Sequence, residues 1–416
     1  MALSGGVDSV ALLAACVDLK AMYPALSLRA LHVHHGLQPV ADDWQSRCEA
    51  LCERLGVPLD VLQLRLAPRR GASVEAEARD ARYAALAARL SPGEALLTAH
   101  HEDDQLETVL LQLMRGAGVA GLAAMPAAAP LGYGLHLRPL LGVSRPAIEG
   151  YARARGLEWV EDPMNASLRF DRGYLRAQIA PAIRARWPAA GRTVARSAGH
   201  LAEAQGLLDE LAALDAAGAL EGECLLASAL QALPRARQAN LLRWWLRGRG
   251  LGAPSSARLS SILEEVLPAR VDATPVVTWA KGEVRRYRGR LYSMKPLGPP
   301  PPPGWERPMR PGERIELPCG LGVVWLEPRT GPGLSFGSLQ GPLSIRFRQG
   351  GERLLPLGRG NRHGLGELCR ESGVAPWLRA RLPLLASGAR LLAVGELWVD
   401  QGVVDPRAGW RLRWQR

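Results

Sequence analysis

The sequence predicts an α/β fold: a parallel sheet in the first half of the chain, then a mainly helical domain and a small β-rich domain. Three observations carry this. Up to Arg186, short β-branched or leucine-rich runs alternate with longer stretches of helical spacing. Beyond Arg186 the helical stretches follow one another without strands between them. Past five consecutive prolines (residues 299–303), short hairpin-like segments take over.

Taken in order, "MALSGGVDSV" reads as a tight passage from a strand into a buried helix, since small residues precede the apolar run Val10, Ala11, Leu12, Leu13. Strand candidates follow at 26–35 ("LSLRALHVHH"), 59–64 and 94–101. Between them lie helical stretches at 40–56 and 73–90, the latter with Ser73 as its N-cap. In a parallel sheet, ligands bind at the carboxyl ends of the strands. The glycine loop, the "HVHH" histidines and "AHHEDD" should therefore gather on one edge. A long amphipathic segment at 192–218 and two further helices at 233–250 and 256–267 precede strand-like pieces around 276–292. The proline run favours a stiff extended conformer and marks a linker. The expected organisation is a catalytic domain over 1–200, a mainly helical domain over 201–296, a linker over 297–308 and a β-rich basic domain over 309–416.

With 416 residues, 47% of them hydrophobic, and a mean hydropathy of −0.05, the chain can bury more than one core. It has no apolar run of membrane-spanning length and no signal-peptide pattern at Met1, so a cytoplasmic location and no membrane partner are expected. The six cysteines (Cys16, Cys48, Cys52, Cys224, Cys319, Cys369) form no Cys-x-x-Cys pair, which argues against zinc, an iron–sulfur cluster and a disulfide framework. Cys48 and Cys52 lie four apart on a helix and read as core. The net charge of +12 calls for a polyanionic partner. From Trp305 onward, 17 arginines face 10 acidic residues, so much of the excess sits in the last domain. There "RFRQGGERLLPLGRGNRHG", with Arg359 and Arg362, reads as a basic loop able to track a phosphate backbone, and "RRYRGRLY" (285–292) either stacks on nucleic acid or forms a strand with a solvated basic face.

Two motifs carry chemistry. Gly5 and Gly6 ahead of a helix point backbone amides at an anion, with Ser4 and Ser9 as hydroxyl donors and Asp8 beside them. The loop lacks the lysine that grips β and γ phosphates in the Walker loop, so it suits cleavage between α and β phosphates. In "AHHEDDQLET", a helix starting near Glu102 sets Asp103 and Glu107 about 40° apart and Asp104 and Glu107 about 60° apart. Dipole compensation explains one or two of these acids; Glu102, Asp103, Asp104 and Glu107 together point to a cation.

The loop resembles the "SGGxDS" PP-loop of the ATP-pyrophosphatase superfamily, whose fold is of the adenine nucleotide α-hydrolase type. "SGGVDSVALL", "HVHHGLQPVADDW", "EAEARDARYAAL", "AHHEDDQLETVLLQLMRGAGVAGLAAM" and "EDPMNASLRFDRGYLR" occur in the order found in the tRNA(Ile)-lysidine synthetase family, and the tail is similar to that family's C-terminal domain. The resemblance covers almost the whole chain. It implies ATP-dependent ligation of L-lysine to C2 of the wobble cytidine in the CAU anticodon of tRNA(Ile), through an adenylated tRNA, changing AUG to AUA decoding. ATP and Mg²⁺ are the implied cofactors, tRNA(Ile) and L-lysine the partners, and a homodimer is compatible with it. By resemblance, Ser4, Gly5, Gly6, Val7, Asp8 and Ser9 bind ATP, with Asp8 near the metal. Asp104 and Glu107 seat the lysine, and Asp104, His100 and Arg172 take part in catalysis, His100 either as a base or as a residue that orients the loop. Arg79 and Arg82, one helical turn apart, are candidates for ATP or tRNA contact. The alternatives are a thiolation-type PP-loop enzyme and a catalytically inactive tRNA-binding homologue. One departure stands out: a strand of about five residues should feed the loop, yet only Met1, Ala2 and Leu3 precede Ser4. This leads us to expect a true start upstream, or else a poorly anchored loop.

Overall fold

Strand-like runs alternating with stretches of helical spacing give α1 (Val7–Met22), β1 (Ala30–His34), α2 (Ala41–Leu55), β2 (Leu59–Gln63), α3 (Val74–Ala87), β3 (Ala95–Leu97) and α4 (Glu102–Met114) at the places the sequence predicts. The computed structural model describes residues 1–34, 41–64, 74–161, 168, 170–270, 273–337, 339 and 341–415; the predicted cap Ser73 and His35 of "HVHH" lie outside these. By its contacts the chain divides into two units, Met1–Leu208 and Asp209–Arg416.

In the first unit β1 and β2 pair in parallel from Ala30 against Leu59 to His34 against Gln63. The short lead-in Met1–Leu3 serves as a strand on the other side of β1. Leu31 N–H donates to Met1 O (2.7 Å), Leu3 N–H to Leu31 O (2.9 Å) and Ala2 N–H to Leu97 O of β3 (2.9 Å). Three residues thus join the two halves of the sheet, and with Met1 and Leu3 buried they anchor the loop that follows. After a short helix α5 (Val119–Leu122), β4 (Ala128–Leu131) and β5 (Gly134–Leu137) complete the sheet. β5 runs parallel to β3, and β4 is an antiparallel edge. Helix α6 (Arg145–Ala154) comes next. One face of the sheet is covered by α1, α2 and α6 through Val10, Leu13, Cys48, Leu51, Ile148 and Ala152. The other is covered by α3 through Leu86, which packs on Leu31, Leu62 and Leu96. Then α7 (Asp171–Tyr174), a π-helical turn (Leu175–Ile179), α8 (Ala180–Arg186) and the 30-residue α9 (Ala190–Ala219) follow.

The second unit holds two modules. In the first, helices such as Arg235–Gly248 lie on a five-stranded antiparallel sheet that includes Gly282–Tyr287 and Arg290–Met294. Leu241, Trp245 and Ile262 pack there against Val284 and Leu291. In the second, two five-stranded antiparallel sheets share a core of Val324, Leu326, Ile345, Leu385, Leu392 and Leu412. Part of the expected linker is a strand: Glu306–Pro308 pairs with Ser344–Arg346 at a sheet edge, a position where proline's missing N–H is tolerated. Among the described residues, no helix is long and apolar enough to cross a membrane.

Candidate active site

The sheet's carboxyl edge brings the two chemistry-bearing motifs together. Gly5 takes φ +87°, and a Cβ there would stand 3.3 Å from Cys48 Sγ, so glycine alone lets the loop turn this close to α2. Val160 N–H donates to Gly5 O (2.9 Å) and pins the turn from the far side. Ser9, at the start of α1, is committed to the loop itself. Its hydroxyl donates to Gly6 O (2.9 Å) and accepts from Ser4 N–H (3.2 Å) and Ser4 Oγ (3.1 Å). Ser4 is the exposed hydroxyl of the pair.

Helix α4 starts on His101, an unusual N-cap. His101 Nδ1 accepts from Asp103 N–H (3.2 Å), while Asp104 Oδ2 accepts from His101 N–H (3.0 Å). Because Nδ1 is an acceptor, Nε2 carries the proton, and it lies 3.5 Å from Asp104 Oδ2 and 3.7 Å from Asp8 Oδ1. The acidic helix start therefore stands directly beside the glycine loop. Among the described residues, the buried Asp8 Oδ1 has no hydrogen-bond partner. Burial raises the Asp8 pKa, against the pull of His101 and Arg145. A carboxylate oxygen so placed is a fitting ligand for a divalent cation.

The acids of α4 are already matched by arginines. Arg172 reaches Glu107 Oε2 (2.8 Å) and Asp104 Oδ1 (3.1 Å). Arg176 reaches both Glu107 oxygens (2.7 and 2.9 Å) and Asp104 Oδ1 (3.4 Å). Glu107 is 1% exposed, a depth at which a carboxylate needs such partners. Burial opposes the charged form of Asp104, but His101, Arg172 and the His101 amide outweigh it and its pKa is lowered. Asp103 turns instead to Arg184 (3.0 Å), so the row of acids seen in the sequence is divided among three arginines. Arg176 and Arg184 escaped the sequence reading, although Arg176 lies one turn beyond Arg172.

His100 lies just ahead of the cap, and burial pushes its imidazole down to about 3, assisted by Arg138, Arg172 and Arg79 and opposed by Asp104. Arg79 and Arg82 both lie over the Tyr83 ring (5.5 and 5.6 Å). Arg82 is held below its ordinary pKa by burial, with Arg79 and Arg172 adding to the effect.

In the second unit, Arg359 pairs with Glu371 (2.8 Å), and Arg362 lies 3.7 Å from the fully buried Asp400. The turn of the basic loop is closed by its own acid: Glu352 accepts from Gln349 N–H (2.6 Å) and Gly350 N–H (3.1 Å), so these amides are not open to a phosphate. The segment "RRYRGRLY" forms the strands expected of it, a hairpin of Gly282–Tyr287 against Arg290–Met294, but one side of that hairpin is packed and not solvated. Tyr287 and Tyr292 pack edge-on against Trp377 (6.2 and 5.4 Å between centroids), and Arg379 donates to Tyr287 Oη (3.0 Å). Nothing in 285–292 indicated that Trp377, far off in sequence, would cover it.

Comparison with known proteins agrees with this layout. The PP-loop domain family matches residues 1–183, the TilS substrate binding domain residues 225–292 and the TilS substrate C-terminal domain residues 343–414. The chain is 44% identical over 402 residues to the tRNA(Ile)-lysidine synthase of Methylococcus capsulatus, covering 95% of this chain and 90% of that protein. It is also 44% identical over 414 residues to the tRNA(Ile)-lysidine synthase of Alkalilimnicola ehrlichii, covering 99% and 92%. Among solved structures it is similar to the U34-tRNA thiolase NcsA from Methanococcus maripaludis (TM-score 0.41, 18% identity, 49% of this chain and 71% of that one). Identity of this order along nearly the full length of both relatives makes this chain a member of the tRNA(Ile)-lysidine synthase family.

Proposed function

We propose that this enzyme uses ATP to join L-lysine to C2 of the wobble cytidine of tRNA(Ile), and that the edge holding Asp8, His101, Asp104 and Glu107 carries out both steps. One observation carries the reading: Asp8 Oδ1 and Asp104 Oδ2 lie 3.7 and 3.5 Å from the same His101 Nε2, so the phosphate loop and the acidic helix start form one site.

In the first step the cytidine O2 attacks the α-phosphate and pyrophosphate leaves. The amides and dipole at the start of α1 meet the charge that develops on the phosphate. Mg²⁺, held through Asp8, supplies further neutralisation of that charge when bound. A cavity of about 230 Å³ beside Gly5, with Arg47, Arg54 and Trp159 on its wall, gives the rest of the nucleotide room.

In the second step the lysine ε-amine attacks C2 and AMP leaves. Asp104 and Glu107 are the seat for the lysine's cationic groups. All four of their oxygens already have partners, so the incoming ammonium takes the place of a guanidinium. Arg172, released in that exchange, is then free to steady the anionic adenylate. The arginine-rich C-terminal module supplies phosphate contacts that carry no sequence information.

Thiolation is not favoured. Burial pushes the Cys48 and Cys52 thiols up to about 12 and about 11, leaving neither as a thiolate nucleophile near neutral pH. The test is nucleoside analysis by mass spectrometry of tRNA(Ile) after incubation with the protein, ATP and lysine. Lysidine at the wobble position is the expected product. An unmodified or sulfur-containing cytidine would overturn the reading.

A further inference from the structure

Three side chains behind His100 are linked in a chain whose direction is set from its arginine end. Arg138 Nη2 lies 3.0 Å from His136 Nδ1, His136 Nε2 lies 2.8 Å from Thr98 Oγ1, and Thr98 Oγ1 lies 2.8 Å from His100 Nδ1. A guanidinium can only donate, so His136 Nδ1 must accept. The single proton of a neutral His136 then sits on Nε2 and is donated to Thr98 Oγ1. The Thr98 hydroxyl has one proton and, among the described residues, no acceptor in reach other than His100 Nδ1, so once its oxygen accepts from His136 it donates to His100 Nδ1. His100 Nδ1 is therefore an acceptor, and the His100 proton resides on Nε2.

Neutrality of both rings is what the surroundings favour. His136 is 3% exposed and Thr98 7% exposed, and Arg138 stands beside the pair. Burial, with Arg138 and Arg79 adding to it, pushes His136 down to about 4. The relay is itself anchored, since Arg138 Nη1 donates to Pro126 O (2.7 Å) and fixes the guanidinium that sets the polarity.

We propose that Arg138, His136 and Thr98 act as positioning residues that lock His100 in its Nε2–H tautomer, so that His100 enters the reaction as a hydrogen-bond donor to a substrate oxygen and not as the base that deprotonates lysine. The inference rests on the reading that the Asp8–Asp104 edge is the active site. It resolves the two roles open to His100 from sequence: a base at Nε2 needs a lone pair there, and the relay places a proton there instead. Neither His136 nor Arg138 belongs to a motif that pointed to the site.

The experiment uses the full-length protein with ¹⁵N-labelled histidine, the His100 signals being assigned by their loss in His100→Asn. The expected spectrum at neutral pH shows His100 protonated at Nε2 and bare at Nδ1. Thr98→Val removes the hydroxyl at constant shape; lysidine formation should slow about tenfold in kcat, the scale of one hydrogen bond lost from the transition state. KM for ATP and lysine should stay at the wild-type values, and Thr98→Ser should restore kcat. Arg138→Met, which removes the group that fixes the direction, should yield a mixture of His100 tautomers even if Thr98→Val does not fold. A wild-type His100 protonated at Nδ1, or a folded Thr98→Val with wild-type kcat, would overturn the proposal. Absence of lysidine formation by the wild-type protein would count against the functional reading alone, because the tautomer is read without turnover.

Discussion

Asp104 in the first unit and Asp400 in the second are both buried carboxylates flanked by two arginines, and they differ in what surrounds the pair. Asp400 is fully buried, and its oxygens accept from Leu355 N–H (3.2 Å), Gly402 N–H (3.1 Å) and Arg390 (3.0 Å), with Arg362 at 3.7 Å. Two of those partners are backbone amides of separate segments, so Asp400 ties a fold together. Asp104 sits on the first turn of a helix at the ligand edge, within reach of a histidine that also faces Asp8. Among the described residues, the buried Asp8 Oδ1 accepts no hydrogen bond, its nearest charged neighbour being His101 at 3.7 Å. Both Asp400 oxygens are matched, which stabilises a structure, whereas a buried carboxylate oxygen that accepts no hydrogen bond beside a glycine loop has room for a ligand. The same residue types therefore read as structure in one place and as chemistry in the other.

Breaking each side of this contrast should give different losses. The largest is expected for Asp8→Asn, which removes the unmatched charge: kcat for lysidine formation should fall by roughly 10²–10³-fold. Calorimetry should show no loss of thermal stability, since the raised pKa of Asp8 marks its charge as a cost to the fold. A parallel loss of folding would place Asp8 with Asp400 instead. Asp400→Asn should do the reverse, costing about 3 kcal/mol in guanidinium unfolding because it leaves buried partners uncompensated, while kcat at saturating tRNA is retained.

A smaller effect sharpens the role of the arginines. Arg176→Lys keeps the charge but loses the planar fork that spans both Glu107 oxygens, and lysidine formation should slow by about tenfold. An unchanged rate would mean that Arg176 only balances charge. The smallest effect is on stability against pH. His100 and His136 are held below their ordinary value of 6.5, so the unfolded chain takes up protons that the folded one refuses. Stability should therefore decline as pH falls from about 6.5 toward about 3, and His136→Gln should flatten the upper part of that decline in thermal melts. Asp8, with its pKa shifted upward, works in the opposite direction.

Much of the first unit was legible because local rules act there without help. The start of α4 at Glu102 followed from the acid-rich first turn, and β2 at Leu59–Gln63 from a short run between helices. The Arg172–Glu107 pair joins residues 65 positions apart. No spacing rule reaches that far, and it was the resemblance that singled out Arg172. The Glu352 closure of the basic loop was hidden for a different reason: a glutamate three residues from Gln349 looks like a surface acid until the loop curls its amides onto it.

By itself the sequence determined the order of elements, the glycine turn ahead of α1, the acidic face of α4 and the basic excess of the last domain, because each depends on neighbours within one or two turns of chain. Only the tertiary structure decided that Asp8 is left with a buried open oxygen, that Asp104 and Glu107 are already matched by Arg172 and Arg176, and that Thr98, His136 and Arg138 line up in hydrogen-bond contact behind His100. Those facts depend on which side chains share a low-dielectric space after the chain has closed, and hydrogen-bond direction and charge balance are settled there by partners that are remote along the chain.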